Sequence, residues 1–87
     1  MAGINLQLLG TPNPLVVDLS PMSFPRTLVL RSQASTRAIK LSVDGGIEFF
    51  SPTYDVQSAT SIACTVTAPV TTVQFTGTSG TDLWGVL

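Results

Sequence analysis

The chemistry open to this chain is bounded by a short inventory: five carboxylates (Asp18, Asp44, Glu48, Asp55 and Asp82), four cations (Arg26, Arg31, Arg37 and Lys40), one thiol (Cys64) and no histidine. A Ser-His-Asp type of nucleophilic centre lacks its base. Cys64 has no imidazole partner and no neighbouring cation in sequence to draw its pKa down, and it falls on the apolar side of its segment, where a thiol packs as a small hydrophobe. Glycoside hydrolysis needs two carboxyl groups facing one cleft. Asp44 is accounted for by a turn and Glu48 by an outward strand position, which leaves no pair for that task. A calcium site built on loops would need clustered oxygen ligands, and no Asp-x-Asp-x-Asp run exists. With a single cysteine there is neither an intramolecular disulfide nor a structural metal cluster. The residues give no catalytic centre and no cofactor, and the chain is read as a non-enzyme.

Binding chemistry is narrowed in the same way. Arg26, Arg31, Arg37 and Lys40 lie in one stretch, but the formal net charge is −1. Phosphate recognition rests on many cationic contacts and counterion release, so nucleic acid is excluded as a partner. Carbohydrate is the alternative ligand, because sugar rings stack on exposed aromatic faces. Trp84, Tyr54 and one of Phe49 or Phe50 are the candidate platform. Phe49 and Phe50 are adjacent, so in a strand they point to opposite faces and one of them leaves the core.

The elements that carry these residues read as all-β. Good helix formers are scarce and no window repeats apolar residues at i, i+3 and i+4. Thr, Val, Ile and aromatics recur instead in short segments cut by Pro and Gly, the spacing of a small β-sandwich or jelly-roll-like barrel of about seven to eight short antiparallel strands. Ile4, Leu6 and Leu8 alternate with Asn5 and Gln7; Leu15, Val17 and Leu19 share a face; Leu28 and Leu30 oppose Val29 and Arg31; Ile62, Cys64 and Val66 oppose Ser61, Ala63 and Thr65; Val73 and Phe75 point inward. Leu83–Leu87 closes the chain as a strand or tail, its apolar residues docked in the protein's own core or in a partner. Met22 and Phe24 pin a proline-bounded loop to the core edge. The segment 37–50 is predicted to be a hairpin: Ile39, Leu41 and Val43 inward, Ser42 outward, a turn at Asp44-Gly45-Gly46, and a returning strand from Ile47 to Phe50, since Gly supplies the positive φ that a tight turn demands. No composition shift divides residues 1–87, which form one domain.

Surface composition supplies the functional expectation. The chain has 87 residues, is 44% hydrophobic and only 10% charged, with a mean hydropathy of +0.41. A body this small keeps a large share of its surface outside the core, and soluble domains are on average about a quarter charged. Lipid does not cover it, because no run approaches the ~20 apolar residues of a spanning helix and the segments are shorter than membrane barrel strands. Further copies of the chain, or other proteins, are expected to do so. The candidate interface residues are Ile4, Leu6 and Leu8 from the first strand, Phe50 from the hairpin, and Trp84, Val86 and Leu87 at the end of the chain, with Arg26, Arg31 and Arg37 at a rim where charge sets specificity.

The stretch from Arg37 to Phe50, with its Leu41-Ser42-Val43-Asp44-Gly45-Gly46 core, followed by Ala68 to Gly77 with its Val73-Gln74-Phe75-Thr76-Gly77 strand, resembles small β-rich virion proteins of tailed bacteriophages, both head decoration (cement) proteins and fibre- or tail-associated modules. The resemblance covers the C-terminal half. It implies a structural protein of the virion, made in the host cytoplasm, forming a homo-oligomer (a trimer is favoured) and contacting other virion components. Such families bind through interfaces, so no catalytic residues carry over.

Overall fold

The computed structural model describes residues 3–10, 14–31, 38–51, 61–77 and 81–87. Among the described residues seven strands follow one another: β1 (Ile4–Leu8), β2 (Leu15–Asp18), β3 (Arg26–Arg31), β4 (Ala38–Ser42), β5 (Ser61–Val66), β6 (Thr72–Thr76) and β7 (Leu83–Val86). They make a four-stranded sheet, β1-β7-β3-β5, and a three-stranded sheet, β2-β6-β4, with every pairing antiparallel. The two sheets form a small β-sandwich.

The pairing order has a simple logic. β1 pairs with β7, β2 with β6, and β3 with β5, nested like the two arms of one long hairpin. The innermost rung is a single bridge, in which Leu41 and Phe50 exchange backbone hydrogen bonds of 2.9 and 2.8 Å. Two further ladders, β3 to β7 and β4 to β6, fold this doubled ribbon into facing sheets. That wrapping is the jelly-roll arrangement, here with its fifth strand in chain order reduced to one bridge.

Alternation along each strand fills the space between the sheets. Leu28, Leu30, Ile62, Val66, Trp84 and Val86 from the larger sheet meet Ile39, Leu41, Val73 and Phe75 from the smaller one, with Leu19 and Met22 closing the edge. Phe75 and Trp84 join the sheets at a ring-centroid distance of 5.1 Å and a tilt of 42°, inside the range where aromatic pairs add to simple burial. The indole nitrogen of Trp84 donates to the carbonyl of Leu8 at 3.2 Å, so its polar edge is satisfied. The accessible surface is 4862 Å², against about 4,900 Å² expected for a folded monomer of this mass. Compaction is complete, and the apolar excess must therefore lie on a normal-sized surface.

Of the two readings of the C-terminal segment, strand or tail, the structure has the strand, and an inner one, flanked by β1 and β3. One expectation changes. The hairpin is not regular: residues 43–48 are a bent loop, and Ile47 to Phe50 contributes only the bridge at Phe50. Gly45 and Gly46 do take positive φ, 77° and 94°. The difference lies in Asp44, whose carboxylate gathers the amides of Ile47 and Glu48 at 3.2 and 3.1 Å and so turns the chain away from the partner strand. Ser42 is fully buried and Val43 exposed, the reverse of simple alternation, because this loop folds back over the end of β4.

Candidate interaction surface

The register of the ladders fixes what each sheet shows to the outside, since directly paired residues lie on the same face. In the larger sheet the outer face carries Leu8 beside Leu83 and Arg31. Next to that row, Gly85, Val29 and Ala63 are paired across three strands, and the Leu6 side chain lies within 3.2 Å of where a Cβ on Gly85 would stand. Thr27 and Thr65 form a third row. Leu87 extends it, exchanging backbone hydrogen bonds of 2.8 and 3.0 Å with Thr27. Among the described residues, Arg31 is the one charged residue on the face.

The smaller sheet is different. Its outer rows are Val16 with Gln74 and Lys40, Asp18 with Thr72 and Ser42, and Thr76 with Ala38, but Thr72 and Ser42 are buried beneath the loop that follows β4. What remains exposed mixes Val16 with polar residues and a charge of each sign. The exposed large apolar residues are therefore divided: Leu6, Leu8 and Leu87 on the larger sheet, and Val16, Val43, Ile47 and Phe50 on the smaller sheet and its loop. The larger sheet's four strands, about 4.8 Å apart and about five residues long, give an outer face of roughly 300 Å². Its apolar part, less Arg31, Thr27 and Thr65, is below the roughly 300–600 Å² of the largest patches on typical monomers.

A second apolar feature is the loop 43–50. Val43 and Phe50 are exposed at its ends, and Ile47 at its tip is 82% exposed. The loop is held by a compact network. The Ser42 hydroxyl donates to the Asp44 carboxylate at 2.6 Å and accepts from the Gly46 amide at 2.9 Å, and the Gly45 amide donates to the Thr71 hydroxyl at 2.9 Å. The Ser42 hydroxyl first, then the Glu48 amide, lower the pKa of Asp44 below the usual carboxylate range. Asp18 is lowered chiefly by the backbone amide of Ser20, which donates to it at 2.9 Å.

The sequence-predicted interface residues separate into three groups. Leu6, Leu8 and Leu87 stand exposed on the outer face, and Phe50 is exposed on the loop. Ile4 is half-buried against the core. Trp84 and Val86 are corrected: at 7% and 0% exposure both belong to the protein's own core, because β7 is an inner strand and these residues are on its inward side. Trp84 is thereby unavailable as a sugar-stacking platform, and Tyr54 lies outside the described residues, as do Asp55 and Arg37. Arg31 sits at the corner of the outer face. Arg26 is half-buried and turns toward its own loop, its guanidinium donating to the Ser23 carbonyl at 2.7 Å and to the Ser23 hydroxyl at 3.1 Å.

Sequence reasoning missed Val29, Leu83 and Ala63 as parts of the outer face, with Gly85 buried beneath Leu6, and it missed Ile47. Strand alternation had already marked Val29 and Ala63 as pointing away from the core. What it lacked was the strand order that sets them side by side. Among the described residues no three of Cys, Asp and Glu gather as a metal site. Asp82 is buried, with its carboxylate against Gly77, where an added Cβ would collide with it. Cys64 is half-buried, and that burial raises its pKa.

No protein-family model matches this chain, and neither does any curated protein or solved structure.

Proposed function

We propose that this chain is a non-enzymatic structural protein of a tailed-phage virion, made in the host cytoplasm, which associates with copies of itself and docks on a capsid, fibre or tail component. The observation that carries the reading is the outer face of the larger sheet, where Leu6, Leu8 and Leu87 stand exposed and Arg31 is the one charge among the described residues. Apolar burial supplies affinity, at about 25 cal/mol per Å² before the costs of association. Arg31 at the corner supplies orientation rather than strength. Two further points support it by analogy alone. The Asp44-Gly45-Gly46 and Val73–Gly77 segments resemble those of small virion proteins, and jelly-roll wrapping recurs in viral capsid domains. Lectins share that wrapping too, but here a sugar platform would have to do without its tryptophan.

The test is incorporation into particles. Mass spectrometry of purified virions from cells expressing the gene should find the chain in stoichiometric amounts, and Leu6→Lys with Leu8→Lys, which charge the outer face without touching the core, should reduce incorporation at least tenfold. Particles free of the wild-type chain would overturn the proposal.

A further inference from the structure

A sandwich of two open sheets has four free edges, and in this protein three of them are blunted. β1 carries a break in register between Ile4 and Gln7. β2 is four residues long, follows Pro14 and ends at the charged Asp18. β4 carries Lys40, and its outer side is occupied at Leu41 by the bridge to Phe50. Bulges, short length, charge and covering loops are the devices by which sheets avoid unwanted pairing. Among the described residues β5 has none of them. It is six residues long, Ser61-Ile62-Ala63-Cys64-Thr65-Val66, with no charge, no proline and no glycine, and it pairs with β3 without interruption over its whole length. Among the described residues no strand pairs with its other side.

Building on the self-association proposed above, we infer that the free edge of β5 pairs antiparallel with β5 of a second copy, joining two four-stranded sheets into one of eight strands. A second copy is the occupant that fits. An antiparallel pair of identical strands is related by a two-fold axis and is self-complementary, and with no charged residue in the strand no like charges are brought opposite each other. The assembly closes at two copies because the far edge, β1, is broken in register and cannot receive the β5 of a third. The joined sheet makes the two apolar outer faces contiguous, doubling the surface presented to a larger partner. A six-residue ladder buries less area than standard stable interfaces, so the dimer forms in a concentration-dependent equilibrium.

Sedimentation of the wild-type protein over a concentration series should show monomer passing to dimer. In the dimer, amide hydrogen exchange should slow at alternate residues of β5 and not in β1. Thr65→Lys, an exposed position, should shift the equilibrium to monomer by at least tenfold, with Trp84 fluorescence unchanged as the sign of an intact core. Asn5→Lys, exposed on β1 at the opposite edge, should leave it unchanged. A trimer, or a dimer abolished by Asn5→Lys and indifferent to Thr65→Lys, would overturn the β5 edge while leaving self-association standing. A protein that stays monomeric at every concentration would remove both.

Discussion

Asp44 shows how one side chain decides a local structure. Its carboxylate accepts from the Ser42 hydroxyl and from two backbone amides, bonds that favour the ionised form and lower its pKa. A carboxylate with a folded pKa below its unfolded value stabilises the fold above the unfolded pKa, near 3.9. The contribution is lost as pH falls through the folded value. Asp44→Asn should therefore lower the urea midpoint at neutral pH, and the gap from wild type should narrow as the pH drops below about 4. A gap that is constant with pH would mean that the charge plays no part. Asp18 shifts in the same direction through Ser20 and adds to the same acid limb. Cys64 runs the opposite way. Burial raises its pKa, so the folded protein holds a protonated, unreactive thiol at neutral pH. Labelling with a disulfide reagent at pH 7 should be slow in the native state and fast in denaturant.

At the scale of elements, the larger sheet is organised by β7. A strand of Leu83-Trp84-Gly85-Val86 has to present two large residues inward, and the neighbouring β1 bends closely over its outer side. Gly85 permits that approach: a Cβ there would lie 3.1 Å from the Ile4 carbonyl oxygen and 3.2 Å from the Leu6 amide. Gly85→Val should push β1 off the sheet, costing about 1–3 kcal/mol by analogy with overpacked cores. Faster exchange of β1 amides, with those of β3 and β5 unaffected, is the check. The loop 43–50 shows the limit of a local rule. An Asp-Gly-Gly turn between alternating segments reads as a tight hairpin, and the two glycines do adopt the backbone it needs. The side chains of Ser42 and Asp44 outbid the strand for the following amides, which is the competition expected of Ser and Asp next to a turn.

For the whole molecule, stability and association are two sides of one shortage. A single core in a chain of 87 residues supplies a net stability of roughly 4–13 kcal/mol. Phe75 is fully buried between the sheets and packed on Trp84. Phe75→Ala should cost about 3–5 kcal/mol, a large fraction of that total, which would be seen as a lowered urea midpoint followed by the near-ultraviolet dichroism of Trp84. If self-association is coupled to folding, raising the protein concentration should recover part of that loss. The same shortage leaves an apolar outer face on one sheet, where Leu6, Leu8 and Leu87 stand exposed.

The all-β class, and which residues of β2, β3, β5 and β6 point inward, are fixed by the sequence alone, because a period of two with β-branched and aromatic residues allows little else and each strand needs only its own residues to state its face. The surface shortage was legible too, since composition and length bound it without any fold. Strand order was not legible. That β7 lies between β1 and β3 follows from wrapping the chain as a doubled ribbon, and no local pattern encodes which strands become neighbours. This is why Trp84 and Val86, apolar and at the end of the chain, read as interface residues and proved to be core. It is also why Leu6, Gly85, Val29 and Ala63, distant in sequence, meet in one row only through tertiary pairing.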